Sequence, residues 1–196
     1  MTQNLLNLNI DFSLFTLKKE YFDYQGKLHN CNHVYRVMCH CLYIGSKLNL
    51  PRETKLAFCG AFIHDFSRKH DGLCSQHGLW ATQEKFNLFK DIFLSVGVSE
   101  KDFEEIKLAV KNHSEQFDIS KSHPFYKTSA LLKDADALDR IRLGDDNLNP
   151  KYLRFNETHE FIPFAKELFL ETRNSEIKNF FEILNIAKII NIFFKS

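Results

Sequence analysis

Apolar residues recur at the spacing of an α-helix along almost the whole of this 196-residue chain. Residues that break helices are scarce, since only seven glycines and four prolines stand against twenty phenylalanines. Such a sequence favours long elements joined by few turns around a bulky core. We therefore predict an all-α fold, a helical bundle that forms a single domain over residues 1–196.

The apolar periodicity places a series of helices along the chain. Pro51 suits the first turn of the third helix, and Ser75 is the predicted N-cap of the fourth. The expected ranges are about 11–24, 29–48, 51–66, 76–95, 99–113, 126–142, 160–172 and 174–194. No repeat or linker separates these segments, so the C-terminal helices over 160–194 are expected to pack on the rest.

Charge and composition exclude several classes of function. The chain has 26 basic and 25 acidic residues without a basic stripe, so polymeric nucleic acid is not an expected partner. The N-terminal segment "MTQNLLNLNIDFSLF" lacks the features of a signal peptide, and no uncharged apolar run reaches the roughly 20 residues of a membrane helix. Five scattered cysteines without a C-x-x-C pair indicate reduced thiols in a cytoplasmic protein.

The last predicted helix, "EIKNFFEILNIAKIINIFF", is apolar around most of its circumference. That pattern is typical of a helix buried by its own domain or by a dimer partner. A homodimer through this helix is therefore an open alternative. Lys178, Glu182 and Lys188 interrupt the apolar surface and argue against a membrane as partner.

Side chains that can bind a metal stand at the ends of predicted helices. The segment "FIHDFSRKHDG" ends the third helix with His64 and Asp65. His64 lies four residues after Gly60, which places it on the inward face and leaves room for something bulkier than packed aliphatic side chains, while Asp65 falls at the edge of that face. His33 and His113 also fall on inward faces. Burying so many ionisable groups without a compensating ion is costly, so we expect them to surround a metal.

Two further positions extend the candidate ligand set. His77 falls in the first turn of its helix, where the helix dipole favours the neutral imidazole that binds a metal. The sixth helix, "LLKDADALDRIR", offers Asp134, Asp136 or Asp139, and periodicity does not choose between them. Nitrogen and oxygen ligands of this kind suit Mn, Fe, Co, Ni or Zn. The absence of well-placed cysteines argues against a structural zinc site. The remaining histidines, expected to have surface or structural roles, are His29, His40, His70, His123 and His159.

The order of these residues resembles that of the HD-domain superfamily of metal-dependent phosphohydrolases. The resemblance rests on His33, then the His-Asp pair of the third helix, then the segment "KDADALD". The "HG" at 77–78 and the "NHS" at 112–114 are similar to further marks of its small bacterial stand-alone branch. The resemblance covers residues 28–142, which would form the metal-binding core of an HD-type helical bundle.

The resemblance also implies roles for individual residues. The family's K-x-A-D-x-L pattern matches residues 133–138, which makes Asp136 the last metal ligand and leaves Asp134 beside the site. His77 and His113 match, in order, the two additional histidines of binuclear members, so they would hold a second ion or bind phosphate beside a single one. The implied primary ligands are His33, His64, Asp65 and Asp136. The implied cofactor is thus one or two divalent transition-metal ions.

Phosphate chemistry needs a base and cations beside the metal. Asp65 is the candidate for orienting the attacking water or accepting its proton, in addition to its role as a ligand. Arg68, three residues later, is the first candidate for binding phosphate, and Lys133 is the second. Asp71 would either pair with Arg68 or touch the substrate, and His70 lies in the same loop.

The sequence thus predicts a metal-dependent phosphohydrolase that cleaves a phosphate ester or pyrophosphate bond of a small substrate by attack of a metal-bound hydroxide. A nucleotide is the expected class of substrate. Two alternatives remain open, a non-catalytic nucleotide-binding scaffold and a diiron oxygenase that uses the same ligands. Specificity would lie in the loops over 66–76, 114–127 and 142–155.

Overall fold

The computed structural model describes residues 8–24 and 26–193, and within these ranges it contains helices and no strand. The prediction of an all-α fold is confirmed. A π-helical turn, Ala81–Lys85, joins the third α-helix to the fourth. The α-helices are α1 (Cys31–Leu48), α2 (Pro51–Ile63), α3 (His77–Trp80), α4 (Phe86–Ser95), α5 (Phe103–His113), α6 (Tyr126–Leu138), α7 (Ile162–Thr172) and α8 (Phe180–Phe193).

Four helices, α1, α2, α5 and α6, form the centre of the bundle, and each packs against at least two of the others. Gly60 lets α2 approach α5 and α6 closely, because a Cβ at this position would meet Val110 at 3.2 Å and Leu132 at 3.3 Å. Aliphatic side chains therefore fill the space beside Gly60. The expectation that this glycine leaves room for a bulkier group is wrong.

The first predicted helix, over 11–24, does not form. Two short 3-10 turns take its place, Phe12–Phe15 and Lys19–Tyr21, flanked by extended residues. Phe15 is fully buried, with its ring centroid 5.0 Å from that of Phe58 in α2. A straight helix would turn part of this apolar set to solvent, whereas the bent segment lets aromatic side chains on several sides reach the core.

Other helix boundaries differ from the predicted ones by a few residues. α2 ends at Ile63, and α6 ends at Leu138, where the chain continues as a 3-10 turn over Asp139–Leu143. Gln76 precedes α3 without a side-chain cap, so the predicted capping by Ser75 is wrong. Each change occurs at a helix end, where side-chain contacts rather than periodicity set the last turn.

The loop between α7 and α8 delays the start of α8 to Phe180. Asn32, in the first turn of α1, donates its side-chain amide to the carbonyl oxygens of Thr172 and Ser175 at 3.0 and 2.6 Å. Its Oδ1 accepts the backbone N–H of Ile177 at 3.2 Å. These three hydrogen bonds hold the loop in a non-helical conformation against α1.

The C-terminal helices pack against α1 and α2 through aromatic rings. Phe164 of α7 lies 4.7 Å from Tyr43 between ring centroids, and Phe180 of α8 lies 5.2 Å from Phe58. These rings are buried and extend the core of the central helices toward the C-terminus.

Two expectations about the ends of the chain concern residues that the structure does not describe. Residues 1–7 carry most of the argument against a signal peptide and lie outside the described ranges, as does position 194 at the end of the last predicted helix. Within the described ranges, no helix combines the length and apolarity needed to cross a membrane. All five cysteines are free thiols.

Asp134 of α6 anchors the loop that leads to α7. Its fully buried carboxylate accepts the backbone N–H groups of Arg154 and Phe155 and the hydroxyl of Thr158, at distances between 2.8 and 3.0 Å. Burial raises the pKa of Asp134 above its ordinary value even though these donors favour the charged form. The side chain of Asp134 thus binds the loop and not the imidazoles near Asp136.

Replacing Asp134 by alanine is expected to lower the free energy of unfolding by about 3 kcal/mol, because three donors lose their buried acceptor. Equilibrium urea unfolding followed by circular dichroism measures this change. Asp91→Ala removes an exposed carboxylate in α4 and serves as the matched control, with an expected effect below about 0.5 kcal/mol. Equal stabilities of the two variants would show that Asp134 does not anchor the loop.

Candidate metal centre

Six side chains that can bind a metal converge where helix ends meet. All are buried except that of Asp136, which keeps 25% of its surface exposed, so the cluster reaches solvent at this residue. Helix ends suit such a centre because side chains from several helices can approach one point there. The six are His33 in the first turn of α1, His64 and Asp65 directly after α2, His77 at the start of α3, His113 at the end of α5 and Asp136 in the last turn of α6.

The carboxylate of Asp65 stands between two groups of imidazoles. Its Oδ2 lies 2.6 Å from Nδ1 of His29 and 3.2 Å from Nε2 of His33. Its Oδ1 lies 3.1 Å from Nε2 of His77 and 3.9 Å from Nε2 of His113. Each oxygen faces a different group, which is the arrangement of a carboxylate that can bridge two cations.

The four predicted ligand histidines have their Nδ1 atoms fixed by oxygen acceptors. His64, His77 and His113 donate Nδ1–H to backbone carbonyl oxygens, and His33 donates to the carboxylate of Asp139 at 2.7 Å. The carbonyl acceptors belong to Ala61, Cys74 and Val110. Because these oxygens only accept hydrogen bonds, each Nδ1 carries a proton, and in the neutral form of each ring Nε2 presents a lone pair.

The four Nε2 lone pairs face one another. Nε2 of His33 lies 3.2 Å from that of His64, and Nε2 of His77 lies 2.9 Å from that of His113. Two lone pairs at these distances repel each other unless a cation lies between them. Burial lowers the pKa of His64 to about 3 and lowers that of His77, which disfavours a proton as that cation. The donors instead fit metal ions, since imidazole nitrogens on one tetrahedral ion lie about 3.3 Å apart.

Ionised carboxylates complete the donor set. Oδ1 of Asp136 lies 3.4 Å from Nε2 of His33. Burial alone would raise the pKa of Asp65 and Asp136, but the surrounding imidazoles, together with Arg142 in the case of Asp136, hold both well below the usual range. Carboxylates with neutral imidazoles are ligands for divalent transition metals. Trios whose ligand atoms lie within 4.8 Å of one another include His29, His33 and Asp65; His33, His64 and Asp136; and His64, Asp65 and His113.

His29 contacts this cluster as a buried partner of Asp65, so of the two expected roles, surface or structural, a surface position is wrong. It is buried, and burial lowers the pKa of its imidazole although the hydrogen bond to Asp65 opposes that shift. His29 precedes Asn30, the N-cap of α1, so it falls outside the helical periodicity. The available signal was its spacing of four residues from His33, which brings two side chains to the same side of a turn.

Asp139 holds His33 from behind instead of joining the ligands. Its buried carboxylate accepts hydrogen bonds from Nδ1 of His33 and from Nε and Nη2 of Arg36. Arg36 also donates to the hydroxyl of Thr172 in α7 at 3.2 Å, and its guanidinium lies 5.3 Å from the ring centroid of Phe169. The orientation of one metal ligand is thereby tied to a C-terminal helix.

Arg68 lies at the edge of the cluster, as its position after the His-Asp pair led us to expect. Its Nε donates to Oδ1 of Asp65 at 3.0 Å. Its Nη1 donates to the carbonyl oxygens of His70 and Gly72 at 3.3 and 3.0 Å. The guanidinium therefore orients the Asp65 carboxylate and shapes the following loop at the same time.

Lys133 and Asp71 form their contacts away from the ligands. The ammonium of Lys133 has three N–H groups and three acceptors, and it fixes the loop after α5. These acceptors are the carbonyl oxygens of Glu115 and Phe117 and the carboxylate of Asp118, at 3.0, 3.1 and 2.9 Å. Asp71 does not pair with Arg68 among the described residues. Its Oδ2 instead accepts the backbone N–H of Lys27 at 3.0 Å.

Arg142 is a second guanidinium beside the cluster, and no pattern in the sequence indicated a role for it. Its Nη2 lies 3.3 Å from Nδ1 of His29, and its Nη1 lies 3.7 Å from Oδ2 of Asp139. Its Nε donates to the carbonyl oxygen of Leu28 at 3.0 Å. Arg142 stands in the 3-10 turn after α6, where we predicted that the helix would continue.

Asp139→Asn is expected to weaken metal binding by about 10- to 100-fold. The carboxylate of Asp139 has two oxygens that accept hydrogen bonds from His33 and Arg36, whereas an amide has only one acceptor oxygen. An amide N–H facing His33 would force the proton onto Nε2 and remove its lone pair. Isothermal titration calorimetry with Mn²⁺ measures the affinity of each variant for the metal. Thr172→Val is the control, since it removes the other partner of Arg36 and is expected to lower stability by about 1 kcal/mol without changing the affinity. Unchanged Mn²⁺ affinity in Asp139→Asn would contradict the role of Asp139.

Comparison with known proteins agrees with this geometry. A family model described as HD domain matches residues 31–141, which is more than half of the chain. The match runs from the start of α1 to the 3-10 turn after α6 and contains the six converging side chains. No curated protein and no solved structure gives a match. On the strength of this match and of its all-helical fold, the chain belongs to the HD domain family.

Proposed function

We propose that this protein is a metal-dependent phosphohydrolase that acts on a small phosphate ester, with a nucleotide as the expected class of substrate. Membership of the HD domain family suggests hydrolase chemistry. The observation that carries the proposal is the convergence of four imidazole lone pairs with two ionised carboxylates in one buried cluster. The five free thiols fit a reducing compartment, and we include a cytoplasmic location in the proposal.

We infer that these residues would hold two divalent transition-metal ions, with Asp65 contributing to both sets of ligands. The two oxygens of Asp65 face different imidazole groups, which supports two ions rather than one. Such ions supply Lewis-acid chemistry, because they lower the pKa of water and neutralise charge on phosphoryl oxygens. The residues that would hold the first ion are His33, His64, Asp65 and Asp136, and those for the second are Asp65, His77 and His113.

The chain's own residues would position the reactants. The ionised carboxylate of Asp65 is suited to orient the attacking water and take up its proton. Asp136 is the most exposed of the six, so the phosphate would approach from its side. Arg68 and Arg142 would bind phosphoryl oxygens through their guanidinium groups. Lys133 would act indirectly by holding the loop after α5, since its three N–H groups already have acceptors.

The metal content of the purified protein tests the ligand assignment. After loading with Mn²⁺ and dialysis, the wild-type protein is expected to retain about two equivalents by elemental mass spectrometry. Asp136→Ala and His113→Ala are each expected to retain about one, because each lacks a ligand to a different ion. The exposed His159→Ala is the control and should match the wild type.

Two outcomes would change the assignment. Absence of bound metal in the wild-type protein, after separate loading with Mn, Fe, Co and Ni, would reject the centre. A single equivalent that persists in His113→Ala would limit the site to one ion and leave His113 to bind phosphate.

Phosphate release from a panel of nucleotides tests the reaction. Arg142→Ala is expected to raise KM by roughly tenfold or more, because one charge-assisted hydrogen bond to phosphate is lost, while Arg142→Lys should recover part of the loss. Lys90→Ala, an exposed change in α4, is the control. Metal content is measured for every variant, so that loss of an ion is not mistaken for loss of substrate binding. A metal-loaded wild type that releases no phosphate from any member of the panel would contradict the proposed function.

A further inference from the structure

A cavity of about 640 Å³ lies beside the metal centre, between the start of α1, the segment before it and the loop after α7. Its volume is in the range of pockets that bind nucleotide-sized ligands. His29 lines this cavity, and Nδ1 of the same ring lies 2.6 Å from Oδ2 of Asp65. One imidazole therefore connects the wall of the cavity to the metal ligands.

Side chains of α1 hold the walls of the cavity in place. The hydroxyl of Tyr35, a fully buried residue, accepts the backbone N–H of Leu17 at 2.8 Å and reaches the carbonyl oxygen of Lys178 at 3.5 Å. Asn32 binds the loop after α7 through its three hydrogen bonds. The segment around Leu17 and the loop after α7 face each other across the cavity, and both are hydrogen-bonded to α1. The fold therefore holds the cavity open.

The lining of the cavity combines an apolar wall with an excess of positive charge. Lys19 and Glu176 pair with each other at 3.3 Å. Arg173 and Lys178 also line the cavity, and within the described residues neither side chain pairs with a carboxylate; from Lys178, the carboxylate of Glu182 accepts only the backbone N–H. The apolar wall consists of Leu17, Phe22 and Ile177. A ligand with an apolar or aromatic body and an anionic group matches this surface.

We propose that this cavity binds the part of the substrate beyond the scissile phosphate, and that Arg173 and Lys178 recognise a second anionic group on it. The substrate class is then a doubly anionic phosphate ester, such as a nucleoside bisphosphate, with its body against the apolar wall. The inference that the cavity binds part of a substrate rests on the proposed function, because it assumes that the scissile phosphate lies at the metal centre. His29 would lie alongside the bound substrate, between the two anionic groups.

Charge reversal at the cavity tests the inference without disturbing the core. Arg173→Glu/Lys178→Glu is compared with Lys90→Glu/Lys101→Glu, which makes the same change in charge at exposed positions of α4 and the turn before α5. The substrates are adenosine 3′,5′-bisphosphate and AMP, assayed with the Mn²⁺-loaded full chain. The cavity variant is expected to raise KM for the bisphosphate by about tenfold or more, leaving kcat and the KM for AMP close to the control.

Binding to the metal-free protein separates this inference from the proposed function. By isothermal calorimetry, adenosine 3′,5′-bisphosphate is expected to bind the wild type and the control, and to bind the cavity variant about tenfold more weakly. Asn174→Trp places a bulky ring at an exposed position of the lining and is expected to weaken binding by a steric route.

Four results distinguish the inference from the proposed function. Hydrolysis with a selective loss in both cavity variants supports the inference. Hydrolysis of the bisphosphate that is equal in the cavity variants and the control overturns it and leaves the proposed function standing. Weakened binding without hydrolysis of any phosphate ester rejects the phosphohydrolase and retains the cavity as an anion site. No binding by the wild type overturns the inference.

Discussion

Each predicted ligand histidine donates its Nδ1–H to an oxygen, and the Nε2 lone pairs that remain point into one buried space. Because burial makes protonation of His64 and His77 unfavourable, the space suits a cation other than a proton. The packing of α1, α2, α5 and α6 brings the ends of these helices to one point, and the four histidines can face one another only there. Even the close approach at Gly60 contributes, because it sets how near the end of α2 comes to α5 and α6.

The parts of the fold that the sequence predicted well are those in which one helix face alone decides the structure. α1 and α5 have strong apolar periodicity and few breaking residues, and they support the all-α class. The segment over 11–24 was mispredicted because its aromatic residues pack on α2 from several sides, which a helical pattern does not represent. Gly60 was misread for a related reason, since a glycine on a helix face fits a ligand space and a close helix crossing equally well.

The candidate site shows the same division. The six ligands that the sequence and the resemblance indicated lie together, because each stands at the inward end of a helix. The choice between Asp134 and Asp136 depends on a loop that comes later in the chain and supplies Arg154 and Thr158 as partners for Asp134. Periodicity contains no information about that loop. His29 was missed because it lies one residue before the N-cap of α1, and the contacts of Lys133 were missed because its acceptors belong to an irregular loop.

Arg36 carries a consequence for what counts as the domain. The region recognised as an HD domain ends at residue 141, yet Arg36 joins Asp139, and through it His33, to Thr172 in α7. The region recognised by its sequence is therefore smaller than the set of residues whose contacts hold His33 in place. α7 supplies this guanidinium with a hydrogen-bond acceptor, the hydroxyl of Thr172, and with the ring of Phe169. A change in α7, well beyond the last candidate ligand, can therefore alter the orientation of His33 through a single side chain, that of Arg36.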